Sequence, residues 1–136
     1  MRRMLAIVCT VATVLVAGCD SEATTVPTDS AVAGTWSLST VNGAPLPYTI
    51  QSTPKIELVG DQLVVSANGT FTVSTQLRIT NGTTVTTQTV ADGGTYSVNG
   101  TAATFIFNGG TTGEATVSGN TLTVAEPGVS LVYQKQ

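Results

Sequence analysis

The sequence contains no histidine and few charged residues, and both scarcities exclude classes of function. Charged side chains make up 10 % of its 136 residues. Without histidine, the chain lacks the most frequent acid–base side chain in catalysis and the most frequent metal ligand. It also lacks a Gly-x-Ser-x-Gly nucleophile elbow and a phosphate-binding loop. We therefore predict no catalytic residue, no metal site and no cofactor, and expect that the protein is not an enzyme.

A carboxylate pair could still support hydrolysis, but the acidic residues are poorly placed for one. A glycosidase-like site needs two carboxyl groups that face each other across the substrate. The acidic residues of the strand region are expected near turns or on outward positions: Glu57, Asp61, Asp92, Glu114 and Glu126.

Basic residues are scarcer still. Beyond Arg3 they are Lys55, Arg78 and Lys135, against eight acidic residues, so the chain after residue 18 carries a net charge of −5. Nucleic-acid binding depends on clustered Lys and Arg that neutralise phosphates. Three scattered cations predict no nucleic-acid partner.

The first residues have the features of an export signal. Two arginines precede an apolar stretch, Leu5 to Val16. At about a dozen residues it is shorter than the roughly 20 that span a membrane, and it matches the apolar region of a signal peptide. The stretch ends Val16-Ala17-Gly18-Cys19, which resembles the lipobox of bacterial lipoproteins. This resemblance implies a signal peptide over residues 1–18 and a diacylglycerol on Cys19.

Lipidation of Cys19 is consistent with the cysteine content. The other cysteine, Cys9, would leave with the signal peptide, so no disulfide can form within the mature chain. We expect a lipid-anchored protein of the bacterial cell envelope, with a lipid bilayer as its partner through acylated Cys19. Asp20 resembles the enterobacterial signal for retention at the inner membrane, but inner and outer membranes both stay open. The alternative is an ordinary signal peptide with an incidental cysteine.

Two further segments follow Cys19 in the predicted domain organisation. Residues 19–33 comprise the lipidated cysteine and a small, polar, acidic tether. Residues 34–136 form a single all-β domain, because apolar and polar residues alternate there and β-branched Thr and Val are abundant. The predicted strands are 35–41, 54–59, 62–66, 70–80, 83–90, 94–98, 102–107, 112–118, 121–125 and 129–135.

Turn residues separate these strands at short, regular intervals. Asn-Gly, the strongest short hairpin signal, occurs five times. Gly60-Asp61, Asp92-Gly93 and Gly119-Asn120 are interpreted as additional turns. The alternation assigns one apolar face, which contains Ile56, Leu58, Leu63, Val65, Phe71, Val73, Leu77, Ile79, Tyr96, Val98, Phe105, Phe107, Ala115, Val117, Leu122, Val124, Leu131 and Tyr133.

One apolar face is typical of an antiparallel sheet with a single core. A meander of this length avoids exposed edges by closing on itself, so we predict an up-and-down β-barrel of eight to ten strands. A barrel of about eight strands either fills with side chains or encloses one small ligand.

The first strand carries a motif that resembles a known family. Gly34-Thr35-Trp36 is similar to the Gly-x-Trp signature of lipocalins, and the run to Leu46-Pro47 is similar to small bacterial lipocalin-like lipoprotein domains. The resemblance covers residues 34–136. It implies a lipocalin-like barrel with Trp36 as the plug of its closed end, and a small hydrophobic or amphipathic ligand. A second resemblance, to META-type envelope domains, rests on the same Trp strand and its Asn-Gly.

The sequence departs from the lipocalin pattern in three respects. The last strand offers Lys135 in place of the arginine that packs on the tryptophan. The Thr-Asp-Tyr motif is missing, and no C-terminal helix follows the last strand.

The longest segment without strand alternation is residues 42–54, whose three prolines are expected to prevent regular pairing. In lipocalins the loop after the first strand crosses the barrel mouth. That resemblance makes Leu46, Tyr48 and Ile50 the candidate ligand contacts, with Tyr96 as a further hydrogen-bonding side chain. The alternative for the segment is a rigid rim that packs on its own barrel. The alternative function is a non-catalytic structural or partner-binding envelope lipoprotein with a filled, META-like barrel.

Overall fold

The computed structural model describes residues 31–136, and within this range the fold is all-β without helix. Its ten strands are β1 (Gly34–Val41), β2 (Ala44–Pro45), β3 (Tyr48–Ser52), β4 (Lys55–Val65), β5 (Thr70–Asn81), β6 (Thr84–Asn99), β7 (Ala102–Phe107), β8 (Thr112–Ser118), β9 (Thr121–Glu126) and β10 (Val129–Lys135).

Eight of these strands close into an antiparallel barrel. From β4 to β10 each strand pairs with the next, and β1 then pairs with β10 on one side and β4 on the other. The closing register places Gly34 opposite Val65 and Ser37 opposite Gln62. The predicted up-and-down barrel is therefore confirmed, with β2 and β3 as short additions beside β1 and β4.

The sheet continues beyond the closed part of the barrel. Strand β6 pairs with β7 from Gly94 onward, whereas its earlier residues pair with β5 alone. Likewise, the first half of β4 pairs with β3 and β5 but not with β1, whose pairing with β4 is limited to residues 62–65. These portions of β3 to β6 form what we call the projecting sheet, and its β5–β6 hairpin is exposed from Asn81 to Asp92.

Two predicted turns are wrong, because each lies inside a continuous strand. At Gly60-Asp61 the chain makes a β-bulge between Leu58 and Gly60 rather than reversing direction. At Asp92-Gly93 strand β6 passes from the projecting sheet into the barrel without interruption. A bulge and a bend both use glycine, so the same residue that marks turns also occurs within strands.

The segment 42–54 is also more regular than predicted. It contains β2 and β3, despite its prolines. Only Pro45 lies within a strand, and β2 is at the edge of the sheet, where proline is tolerated; Pro47 and Pro54 lie outside β3, on either side of it. The hairpin turns at the Asn-Gly sites are confirmed, but only Asn42-Gly43 places both residues at positive φ (51° and 79°).

The predicted apolar face points into the barrel except at Ile56 and Ile79, which pair with each other on the projecting sheet and lie outside the core. The fully or almost fully buried side chains include Trp36, Phe71, Phe105 and Leu122. Val32, which the sequence places in the tether, is 1 % exposed and belongs to the same core. Core packing thus begins two residues before the predicted start of the barrel domain at Gly34.

Candidate functional site

The barrel has a closed end and an open end. At the closed end Trp36 is fully buried, and its Nε1–H donates a 2.8 Å hydrogen bond to the carbonyl oxygen of Val32. The Lys135 ammonium lies 5.2 Å from the centroid of the Trp36 ring, where the ring's negative face attracts a cation. Lys135 also donates to the carbonyl oxygen of Ala31 at 3.0 Å, so it joins the first and last strands to the entering chain.

An apolar cavity of about 100 Å³ lies inside the other half of the barrel. It is formed where side chains of six strands, β4, β5 and β7 to β10, leave a space beside Gly113, which has no side chain to fill it. One carboxylate, Glu126, joins an otherwise apolar or aromatic lining. The other lining residues are Leu63, Phe71, Val73, Phe105, Phe107, Val124, Leu131 and Tyr133. We call this space the barrel cavity.

Aromatic packing fixes one wall of the barrel cavity. The Phe71 ring meets the rings of Phe105 and Phe107 edge-on, with centroids 5.0 Å apart in each pair. This T-shaped geometry places the positive edge of one ring on the negative face of the next. The wall is therefore preorganised and presents hydrocarbon to the cavity.

A second cavity, of about 300 Å³, opens through the side of the barrel where β1 and β4 separate. We call it the lateral cavity. Its lining is mixed, with hydroxyl and amide side chains beside aliphatic ones and a single carboxylate. The lining residues are Ser37, Leu38, Leu46, Val59, Gly60, Asp61, Gln62, Ser74 and Gln76.

The bulge in β4 determines which way Asp61 points. Ile56 and Leu58 occupy even positions on the apolar face, and the extra residue at the bulge transfers that face to odd positions. Asp61 consequently pairs with Thr75 on the inner side of the sheet, and the expectation that it lies outward or in a turn is wrong.

The Asp61 carboxyl is partly buried, and its hydrogen bonds offset little of the cost of burying its charge. Thr75 donates its Oγ1–H to Oδ2 at 3.0 Å, but Oδ1 is buried without a hydrogen-bond partner within residues 31–136. Burial raises the pKa of Asp61 to about 6, against the lowering effect of its interactions with Thr75 and Tyr133. The pKa of the neighbouring Tyr133 hydroxyl is raised as well, by burial and then by the Asp61 charge. Because no cation among residues 31–136 offsets the burial, the carboxylate form is destabilised.

Asp61→Asn is expected to make folding stability less dependent on pH. The unfolded pKa is 3.8 and the folded one about 6, so the folded state binds the proton more tightly and stability falls as pH rises between these values. Above pH 6 both states are ionised and the folded state keeps the burial penalty. Asn, which resembles the protonated acid, should therefore stabilise the protein by about 1–2 kcal/mol at pH 8, after allowance for partial exposure.

Urea unfolding of Asp61→Asn and the native sequence at pH 4 and pH 8 measures this difference. The gain at pH 8 should vanish at pH 4, where the native carboxyl is protonated in the folded state. Glu114→Gln, on an exposed position of β8, is the matched control and should change stability little at either pH. If Asp61→Asn changes stability equally at both pH values, the raised pKa assigned to Asp61 is contradicted.

Glu57 lies on the outward face, as predicted, yet it is only 6 % exposed. It lies on the face of the projecting sheet opposite to Leu58. The side chains of Lys55 and Arg78 cover it there, so it is buried although it is outside the barrel core. Both cations approach to 2.8 Å, and Arg78 Nε–H donates a further bond at 2.9 Å. Hydrogen bonds from Lys55 and then Arg78 lower the pKa of Glu57.

The candidate ligand contacts are dispersed rather than gathered in one site. Leu46 lines the lateral cavity. Tyr48 is half-buried and accepts a 3.3 Å hydrogen bond from Asn42, while Ile50 is 57 % exposed on the edge strand β3. Tyr96 is buried near the closed end, where its hydroxyl donates to the carbonyl oxygen of Ser66 at 2.7 Å.

The structure adds two groups that the sequence did not indicate as site residues. Gly113 and Glu126 meet at the barrel cavity, where a β-carbon built on Gly113 would lie 3.4 Å from Glu126 Oε1. The alternation of Ala115 and Val117 already placed position 113 on the inner face. The sequence could not show that this glycine faces a cavity, because the cavity is formed by side chains of the opposing strands.

A closed antiparallel barrel of eight strands, with a Gly-x-Trp motif buried at its closed end, defines a lipocalin-type architecture. A family model described as a lipocalin-like domain matches residues 32–124, well over half of the chain. The chain therefore belongs to the lipocalin-like domain family. A search of curated proteins finds no significant match.

Within residues 31–136, no group of three or more His, Cys, Asp or Glu side chains is arranged to hold a metal ion. The same residues include no helix with the length and apolar character needed to cross a bilayer.

Proposed function

We propose that this protein is an exported, lipid-anchored binding module, which takes a small apolar or amphipathic molecule into the barrel cavity and performs no catalysis. The observation that carries the proposal is the apolar, aromatic-walled space inside a lipocalin-like barrel. An apolar group that moves from water into such a space gains free energy because its surface leaves water.

The volume restricts the ligand to a small group. Pockets for drug-sized molecules measure about 300–1,000 Å³, whereas an apolar cavity of about 150 Å³ accepts benzene. At about 100 Å³ the barrel cavity fits one small ring or a short branched chain. A larger amphipathic molecule would insert only such a part, and a hydrogen-bond donor at its polar end could pair with Glu126 at the rim.

Benzene titration followed by methyl NMR tests the proposal. The closed barrel and its core lie within residues 31–136, so a chain starting at residue 20 keeps every contact described here. Saturable shifts are expected at the methyl groups of Val73, Val124 and Leu131, which line the cavity. Shifts spread evenly over surface methyl groups, or none at all, would contradict the proposal.

Gly113→Leu is the blocking variant. Its added side chain would extend into the barrel cavity, since a β-carbon at this position already meets Phe107 at 3.7 Å. Benzene binding should weaken at least about tenfold, as expected when a cavity of this size is filled. Gly109→Leu introduces the same side chain into a turn, where a β-carbon would meet no atom within 4 Å, and should leave binding unchanged.

A second candidate function is partner binding in the cell envelope by a filled, META-like barrel. The projecting sheet favours it, because Val85 and Val90 on its hairpin are 60 % and 44 % exposed. Val85 and Val90 lie on opposite faces of β6, so the exposed β5–β6 hairpin offers a partner one apolar contact on each face. Cross-linking from cysteines placed at Val85 and Val90 should capture a protein partner under this alternative, with benzene leaving the barrel methyl groups unshifted.

The membrane anchor is a proposal that rests on Cys19, which lies outside the described residues. Cys19→Ser is expected to abolish incorporation of an alkynyl fatty acid and to release the protein from the membrane pellet. Cys9→Ser, within the proposed signal peptide, is the matched control and should retain both. Labelling that survives Cys19→Ser contradicts the anchor. If the lineage follows the enterobacterial rule, Asp20 directs the protein to the inner membrane.

A further inference from the structure

The lateral cavity is distinct from the barrel cavity in both position and chemistry. It opens between β1 and β4, whereas the barrel cavity lies among the inward aromatic side chains. Tyr133 lies between them, lining the barrel cavity on one side and interacting with Asp61 on the other. At about 300 Å³ the lateral cavity reaches the size at which small-molecule pockets begin.

No cation of the described chain neutralises Asp61. Lys55 and Arg78 both pair with Glu57. Lys135 is held by the Trp36 ring and the Ala31 carbonyl at the closed end. The interactions that act on the Asp61 carboxyl come instead from the neutral hydroxyl groups of Thr75 and Tyr133. A partly buried carboxylate without a counter-charge is unfavourable, and a bound cation would relieve it.

The surroundings of Asp61 distinguish an organic cation from a metal ion. Calcium takes six to eight oxygen ligands, usually with several carboxylates, and the lateral cavity offers one carboxylate. An ammonium group needs only one acceptor of negative charge and a few neutral acceptors for its remaining N–H groups. The hydroxyl of Ser37 and the side-chain amides of Gln62 and Gln76 can provide these.

We propose that the lateral cavity binds a small primary amine in its ammonium form, with Asp61 as the charge partner. The side-chain oxygens that line the cavity accept the other N–H bonds. The short carbon chain of the amine packs against Leu38, Leu46 and Val59, which form the apolar part of the lining. Binding supplies a positive charge beside the Asp61 carboxyl, whose partners within residues 31–136 are the neutral hydroxyl groups of Thr75 and Tyr133.

Titration with n-butylammonium at pH 8, followed by amide NMR of the chain from residue 20, tests the proposal. Saturable shifts are expected at Gly60, Gln62, Ser74 and Gln76, with none at Phe107, Val124 and Leu131, which line the barrel cavity away from Asp61. The neutral analogue 1-butanol and the anion butyrate have similar size and should bind at least about tenfold more weakly, since charge-assisted hydrogen bonds are the stronger ones. Equal affinity for 1-butanol would overturn the proposal.

Three variants separate recognition by charge from general effects. Asp61→Asn should weaken butylammonium binding at least about tenfold while the protein stays folded, because the substitution is expected to stabilise it at this pH. Ser74→Phe should also abolish binding, since it fills the lateral cavity and leaves the Asp61 charge in place. Glu114→Gln removes an exposed carboxylate elsewhere and should bind as the native chain does. Unchanged binding by either Asp61→Asn or Ser74→Phe contradicts the proposed site.

Discussion

Trp36→Ala is expected to destabilise the barrel by about 4 kcal/mol, the upper part of the range for a buried aromatic residue. Trp36 is the only tryptophan and is fully buried, so its removal leaves a large space at the closed end. The substitution also leaves the Val32 carbonyl without its 2.8 Å donor and removes the ring beneath the Lys135 ammonium. An unpaired buried carbonyl alone costs about 1–3 kcal/mol.

Urea unfolding followed by circular dichroism measures this loss, since the variant has no tryptophan fluorescence. Trp36→Phe is the matched control, because it keeps one buried ring and loses the N–H donor. We expect it to lose about 1–2 kcal/mol. A loss below about 1 kcal/mol for Trp36→Ala would show that the closed end does not depend on this side chain.

Gly94→Ala is expected to destabilise the protein by about 3 kcal/mol or more, the upper end for overpacking. Gly94 is the point where β6 becomes hydrogen-bonded on both sides, to Phe71 of β5 and Phe107 of β7. A β-carbon at this position would overlap the backbone carbonyl of Ile106, which cannot move without breaking the β6–β7 ladder. The glycine therefore permits a close approach of two strands at the bend.

Gly113→Ala is the control for this prediction. It makes the same chemical change on an inward position of β8, but the new methyl group would meet its neighbours at 3.4 Å and 3.7 Å, which is ordinary contact. We expect Gly113→Ala to stabilise the protein by up to about 1 kcal/mol, because alanine reduces the backbone freedom of the unfolded chain and makes the cavity smaller. Thermal unfolding of the two variants measures the difference, and we expect a much lower midpoint for Gly94→Ala. Similar midpoints would contradict the role assigned to Gly94.

The alternation of apolar and polar residues predicted which side chains point into the barrel, because every second side chain of a strand lies on the same face. Phe71, Phe105 and Tyr133 were correctly placed inside from this period alone. The same pattern also contained evidence of the bulge in β4. The apolar positions are even at Ile56 and Leu58 but odd at Leu63 and Val65, and one extra residue or a turn accounts for this change equally well.

The candidate site was less predictable because its chemistry depends on contacts across strands. Gly60-Asp61 resembles a turn, so the sequence predicted that the chain reverses direction there and that Asp61 lies at the surface. Its pairing with Thr75 and its proximity to Tyr133 arise only once β4, β5 and β10 are in register. Similarly, the prolines of residues 42–54 predicted a loop, since the sequence does not reveal that Pro45 would lie on an edge strand and that Pro47 and Pro54 would lie outside β3.

Native mass spectrometry of the chain from residue 20, purified from cells without denaturation, tests the binding function most directly. The account predicts an additional small mass on the native protein that is released on denaturation and is absent from Gly113→Leu. Persistence of that mass in Gly113→Leu would place the ligand outside the barrel cavity. A bare protein mass in both, together with benzene that fails to shift the barrel methyl groups, would contradict the binding function and favour a structural or partner-binding role.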